Sequence, residues 1–495
     1  MEFIKMADQI KETIKIFGNP VPMSVTKKAY KNKEKLAKKF KHEPGKKYTL
    51  RAVNNPYIGP IFGVKDVVIS ETGEKIDPKK GILVGTIRMG FGHYRMSMAI
   101  ASAIKSMGYT PYWFDLLAYD TTGKKIIRHL EGLYNMGSRW SQKYKLFNKL
   151  VWEPMTAFTM KKISYNAGDR VMSELFTDIY GDLPKDMPII TTHSWPAQGA
   201  LHAGMKNVVQ VICDNWPMSL HYAEGAVHTV QTPSAYFGYR VLRNMGMKKG
   251  EVLKPMPADS LVYTGHYVDH ELVVNIDGDC KKRIARMKKK EPRRILMSIG
   301  GAGAQQETFK AIIKFLLPLI KEGKATLFLN LGDHKNAWEM LKGEFAGYED
   351  MLTTHFDWAD SSKFAKEALS KTVTGVHCFL HDNTFSAVYI SNLLMRASDC
   401  LMTKPSELSF YPVPKIFIKR VGGHELWGAV RGAEVGDSTV ECDTTENILQ
   451  ALDLFVNENN LLEMFCDNIV KNNKIGIYDG AYKAVEIAIN MKKKK

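Results

Sequence analysis

Gly81-Ile82-Leu83-Val84-Gly85-Thr86-Ile87-Arg88-Met89-Gly90-Phe91-Gly92-His93 reads as a short apolar strand that runs into a glycine loop. A helical pattern follows over 94–107 and stops at Gly108, and 110–114 gives the next strand. Strand, glycine loop, helix, strand is the opening of a doubly wound α/β domain. The first free N–H groups of such a helix point at the loop, the helix dipole adds positive charge, and glycine lets a ligand approach the backbone closely. A diphosphate suits that place. The loop does not spell GxGxxG, and it lacks the lysine and hydroxyl of a Walker A loop, which weighs against a kinase or ATPase.

Further strands are expected at 188–192, 208–213, 227–231 and 261–263. Between them lies a helical stretch, about 124–180, whose Trp, Tyr, Phe and Met side chains are expected in the core. The pattern then restarts: 294–299 is a strand, Gly300-Gly301-Ala302-Gly303 a loop, 307–320 a helix and 325–331 a strand ending at Gly332. Helices at 445–456, 458–471 and 480–492 close the chain. The expected organisation is an amphipathic helix and basic arm over 1–48, an N-terminal Rossmann-like acceptor domain over 49–275 and a linker over 276–293. A C-terminal Rossmann-like nucleotide-sugar domain follows over 294–475, and a helix with a basic tail packs back over 476–495.

Composition sets the outer limits. The 495 residues are 45 % hydrophobic and 24 % charged, ordinary for a globular chain of two or three domains. No apolar run is long enough to span a bilayer, and the N-terminus has no signal-peptide core. Cys213, Cys280, Cys378, Cys400, Cys442 and Cys466 form no CxxC pair, so a reducing cytoplasm is expected. The net charge of +17 is concentrated: ten lysines face only Glu34 and Glu43 over 27–47, and nine basic residues face only Glu291 over 281–294. Anionic lipid, nucleic acid and plain solvated linkers all fit such clusters. Basic residues without aromatic interleaving are unlike a base-stacking platform, so no nucleic-acid partner is expected. Residues 3–17 carry apolar side chains at helical spacing, and that helix either docks on its own domain or lies on a membrane.

Gly90-Phe91-Gly92-His93 and its helix resemble the N-terminal loop of the glycosyltransferase group that contains the diacylglycerol glycosyltransferases (monogalactosyldiacylglycerol synthase and relatives) and the lipid-linked N-acetylglucosaminyltransferase of peptidoglycan synthesis. Arg396-Ala397-Ser398-Asp399-Cys400-Leu401-Met402-Thr403-Lys404-Pro405, Pro412-Val413-Pro414, Gly423-His424-Glu425 and Thr264-Gly265-His266-Tyr267-Val268 resemble later motifs of the same group, in the same order. The resemblance implies a GT-B architecture, α/β with two Rossmann-like domains facing a cleft and C-terminal helices crossing back. It implies an inverting hexosyltransferase that moves a sugar from a UDP-type donor to a lipid acceptor such as diacylglycerol. The enzyme would be cytoplasmic, peripheral on the inner membrane face, with the nucleotide sugar as co-substrate and no cofactor or metal. One departure stands out. Ser406-Glu407-Leu408-Ser409-Phe410-Tyr411 lacks the family's glycine pair and is too short for the glutamate that holds the donor ribose; Glu407 takes its place or the donor is held differently.

Departure of a nucleoside diphosphate needs preorganised donors, and the acceptor hydroxyl needs a base. The donor side falls to Gly300, Gly301, Ala302, Gly303, Phe379, Lys404, Ser406, Glu407, His424 and Glu425. Gly90, Gly92 and His193 belong to the acceptor side, with His93 as the catalytic base and Asp214 aiding or replacing it. An ordinary histidine pKa near 6.5 suits that work, and a helix N-terminus favours the neutral ring. Plainer roles compete: a helix cap for His93 and Asp214, a core position for His193. His377, His381 and Asp382 have unspecific spacing in an expected loop, and no metal is assigned to them. A UDP-sugar 2-epimerase and a non-catalytic nucleotide-sugar-binding scaffold are the rival functions.

Overall fold

Strands that are apolar along their whole length need cover on both faces, which parallel sheets flanked by helices provide. Every residue of β5 (Gly81–Thr86), β7 (Ile189–Thr191) and β8 (Val208–Val211) is buried. The same holds for β11 (Arg293–Ser298), β12 (Ala325–Asn330), β15 (Cys400–Thr403) and β16 (Lys415–Ile418). The computed structural model describes residues 10–88, 90–152, 154–299 and 305–493. It divides into two units, one of 1–89, 100–264 and 481–495 and the other of 90–99 and 265–480.

The first unit is built on eight strands. With β3 (Leu50–Asn54), β4 (Lys65–Ile69), β6 (Thr110–Asp115), β9 (Val227–Val230) and β10 (Leu261–Tyr263), the order is β10-β9-β8-β7-β5-β6-β4-β3. Only the β3–β4 edge pair is antiparallel, with Leu50 opposite Ile69. The seven strands of the second unit include β13 (Leu352–His355), β14 (Gly375–Phe379) and β17 (Ser438–Cys442), in the order β13-β14-β12-β11-β15-β16-β17. All its pairs are parallel, Arg293 lying opposite Ala325 and Ile295 opposite Cys400. Two α/β domains with parallel sheets are therefore present. The last helix, Gly480–Lys493, returns the chain to the first unit, where Lys492 Nζ donates to the Lys79 carbonyl at 3.2 Å.

Helix Gln306–Lys321 shows what holds these layers. Phe309, Ile312, Ile313, Leu316, Leu317 and Ile320 fall on one buried stripe at 3–4-residue spacing, each worth about 1.5–3 kcal/mol of transfer free energy. No helix among the described residues is long and apolar enough to cross a membrane.

Four sequence expectations change. The basic run over 281–294 is not a solvated linker: helix Ile276–Lys288 carries it, and Arg283, Arg286, Arg293 and Arg294 are buried. Arg283 donates to the carbonyls of Ser398 and Met395, both at 2.8 Å, and Arg286 pairs with Asp399 at 2.6 Å. A guanidinium has enough planar donors to satisfy carbonyls and carboxylates at once, so these arginines fasten the helix to the start of β15. Residues 10–48 count with the first unit. Residues 3–9 of the helix expected over 3–17 lie outside the described residues, and no helix covers 10–17. Instead β1 (Lys15–Ile16) and β2 (Asn19–Pro20) form a short hairpin. Ile16, Phe17 and Val21 enter the core with Tyr222 and Tyr239, and helix Met23–Lys39 follows. His377 stands in β14 rather than in a loop. Finally, the aromatic stretch after 124 does not all turn inward. Leu133, Met136, Trp140 and Tyr144, spaced along one face of helix Thr122–Lys143 and its cap, are exposed, as are Leu146, Leu150, Val151 and Phe158.

Candidate functional site

In an open parallel sheet, ligands bind beyond the carboxyl ends of the strands where the strand order reverses. In the second unit that point lies between β11 and β15. The loop after β11, with Gly300, Gly301, Ala302 and Gly303, lies outside the described residues. The loop after β15 begins at Lys404, whose Nζ is paired with Glu425. The second oxygen of Glu425 accepts from the N–H groups of Val421, at 2.7 Å, and Gly422, at 3.2 Å. A cation so bridged to a carboxylate that is itself anchored to backbone stays fixed in direction. Ser406 follows, half-buried, at the head of the turn Glu407–Phe410. His424 sits in the turn Gly423–Glu425, and its side chain lies outside what the structure describes.

Residues 90–99 count with this second unit. Gly90 has φ +94°, a backbone state that favours glycine, and the helix Phe91–Ser106 starts immediately after it. The Phe91 ring lies against Gly332 at the end of β12, where a Cβ would come within 2.7 Å of it. Tyr94 packs on Phe385, ring centres 5.5 Å apart. Arg95 is buried; it donates to the Asn392 side-chain oxygen and lies 4.0 Å from Glu407. Asn392 in turn donates to Asp269 at 2.9 Å. Glu407 lies against the helix start: a Cβ on Gly92 would be 3.3 Å from its Oε2. His93, partly exposed, occupies the first helical turn, its carbonyl accepting from Ser97 Oγ at 2.8 Å. Burial pushes the Asp269 carboxyl up to about 7, with the Arg95 guanidinium opposing the rise. The glycine loop, His93, Glu407 and the Lys404–Glu425 pair thus share one unit, although the sequence places the first two in the other domain.

The first unit reverses its strand order between β5 and β7. There Thr86 and Thr192 hydroxyls meet at 3.1 Å. His193, the next residue, caps helix Ser194–His202: its Nδ1 accepts from the Trp195 N–H at 3.1 Å. Asp214 follows β8, and its Oδ2 lies 3.1 Å from His221 Nε2.

A family model described as a domain of unknown function (DUF6937) matches residues 15–241, and a second, also a domain of unknown function (DUF6938), matches residues 256–489. No curated protein matches the chain. Among solved structures, UDP-GlcNAc 2-epimerase from Neisseria meningitidis bound to UDP-GlcNAc is similar at 12 % identity and TM-score 0.44, over 83 % of this chain and 100 % of that one. α,α-Trehalose 6-phosphate synthase from Burkholderia multivorans is similar at 12 % identity and TM-score 0.42, over 83 % and 98 %. At those values neither likeness carries an assignment, and the architecture rests on the strand orders given above.

Phe379 does not border an open base pocket. It is fully buried at the end of β14, stacked on His355 at 4.7 Å and packed against Phe364. His377, His381 and Asp382 do not converge: His377 Nδ1 is 3.1 Å from His355 Nε2, His381 Nε2 is 2.9 Å from Ser361 Oγ, and Asp382 pairs with Lys335 at 2.9 Å. Arg95, Asp269 and Asn392 were not expected at the site. Their only local signal is a polar residue set among apolar ones, as in Tyr94-Arg95-Met96 and Val268-Asp269.

Proposed function

We propose that this chain is a nucleotide-sugar-dependent glycosyltransferase of GT-B type that acts on a lipid acceptor at a membrane surface. The observation that carries the reading is Glu407 lying against Gly92 at the helix start, in the same unit as His93 and the Lys404–Glu425 pair that opens the loop after β15. The backbone N–H groups of a helix start and an ammonium held in direction suit a departing diphosphate. The acceptor oxygen attacks the anomeric carbon as its bond to the diphosphate oxygen breaks, and the acceptor proton passes to a neutral His93 ring. The attack comes from the face opposite the leaving group, so the configuration inverts. Asp214, 3.1 Å from His221 Nε2, aids or replaces His93 in this reading. In this reading Glu407, beside Gly92 and Arg95, takes the part of the ribose-holding glutamate.

The outward apolar face of residues 133–158 supports a lipid acceptor. Monomeric proteins seldom expose a patch of this kind, and Trp and Tyr favour the interface of a bilayer. Exposed Lys125, Arg128 and Lys149 flank it with positive charge that suits anionic headgroups.

Glu407 beside Gly92 also favours a second reading, a UDP-sugar epimerase that uses carboxylates for proton transfer. A panel of UDP-sugars with lipid vesicles separates the two. Free UDP formed in step with sugar consumed supports the transferase; a new epimer without UDP supports the isomerase; no UDP binding by calorimetry leaves only a scaffold. His93→Ala should lower turnover by on the order of a hundredfold or more while UDP affinity stays within about threefold. Unchanged turnover removes His93 from the reaction.

A further inference from the structure

Cys213, Asp214 and His221 bring three different ligand types together in the loop after β8. Their donor atoms all lie within 4.8 Å of one another. Nε2 of His221 is 3.1 Å from Asp214 Oδ2 and 3.8 Å from Cys213 Sγ. A tetrahedral zinc ion with ordinary bond lengths separates a nitrogen and an oxygen ligand by about 3.3 Å, and a nitrogen and a sulfur ligand by about 3.6 Å. His221 Nε2 already stands near those separations from the other two donors.

The ring's other side fixes its tautomer. His221 Nδ1 lies 2.7 Å from the Tyr239 hydroxyl, and that hydroxyl donates to the Trp216 carbonyl at 2.8 Å. A tyrosine has one proton to give, so it accepts from Nδ1–H. On its other side, Nε2 of the ring faces a carboxylate and a sulfur, a donor set that suits a divalent cation. A ligating histidine held through its second nitrogen is the usual outer partner arrangement of a metal site. The loop is also braced: Gln231 donates to the Cys213 carbonyl at 2.8 Å, and Thr232 is bonded to the Asn215 side chain. Of the six cysteines only Cys213 is not buried, and Asp214 is one-third exposed, which gives an ion access from solvent.

We propose that the first unit binds one zinc-class divalent cation through Cys213 Sγ, a carboxylate oxygen of Asp214 and Nε2 of His221, with a fourth position left to solvent. Mixed S, N and O ligation selects a borderline-soft ion over magnesium or calcium. Binding releases the thiol proton, so affinity rises with pH. The site stands whether or not the chain transfers sugar.

The test uses the full chain, stripped with EDTA and titrated with Co2+ and Zn2+. The expected result is one equivalent per chain, with a thiolate-to-cobalt charge-transfer band in the near ultraviolet. Cys213→Ser, nearly isosteric, should abolish the band, and Asp214→Asn, on the exposed side of the loop, should weaken Zn2+ by at least about tenfold with unchanged circular dichroism. Absence of the band in the wild-type chain overturns the proposal, and the cluster is then a His221–Asp214 contact beside a thiol. A band that survives in Cys213→Ser overturns it equally.

Discussion

Replacing Asp269 by asparagine should make the protein more stable at neutral and alkaline pH than the native chain, and the advantage should vanish in acid. Asp269 is fully buried, its Oδ1 accepts from Asn392 Nδ2 at 2.9 Å, and its Oδ2 has no hydrogen-bond partner among the described residues. Burial raises its carboxyl from 3.8 to about 7, so the folded chain holds this proton more tightly than the unfolded chain does. A group raised in this way contributes stability that is complete below its unfolded value and is lost as pH climbs through the folded one. Each factor of ten in proton affinity is worth about 1.4 kcal/mol, which puts the whole effect at no more than about 4 kcal/mol. Between about pH 5 and about pH 8 the native chain should lose about 2.5 kcal/mol through this group alone. Asp269→Asn keeps an amide oxygen for Asn392 and does not titrate. Urea unfolding of both chains at several pH values, followed by circular dichroism, gives the difference directly, since every other titrating group cancels. A gap that stays level within about 0.5 kcal/mol across that range would refute the reasoning.

Two further outcomes follow from single contacts. Gly332 has φ +63° and no room for a Cβ beside Phe91, so Gly332→Ala should cost at least about 1–2 kcal/mol from the backbone conformation alone, read from the urea midpoint. Lys415 and Asp437 are both fully buried and 2.7 Å apart, with Lys415 also donating to the Tyr411 and Val413 carbonyls at 2.9 and 3.0 Å. Lys415→Met should cost about 3–5 kcal/mol by stranding the carboxylate, and adding Asp437→Asn should recover part of that loss in the same melts.

Both sheets were legible in the sequence because a parallel strand covered on two faces tends to be a short apolar run, and 81–86 and the Ile295-Leu296-Met297 stretch of the second strand stand out as such. β13 did not stand out, since Thr353 and Thr354 at the sheet edge face solvent and carry no pattern. Helix Ile276–Lys288 misled for a different reason. Counting charge cannot tell a lysine in water from an arginine bonded to carbonyls, although Cys280, Arg283 and Met287 fall on one helical face at 3–4-residue spacing. At the site, Lys404 and Glu425 were visible through their motifs, while Arg95, Asn392 and Asp269 meet across separations of 297 and 123 residues that no local pattern records. Cys213-Asp214 with His221 seven positions further on was readable as a spacing, but only a search beyond paired cysteines finds it.

The outward band of Leu133, Met136, Trp140, Tyr144, Leu146, Leu150 and Phe158 has a practical corollary. A molecule that wears such a band is a surfactant of its own kind. In plain buffer such side chains should seek one another, so light scattering of the purified chain should rise with concentration. A mild detergent that caps them should reverse the rise, and a size that stays constant without detergent would count against the corollary.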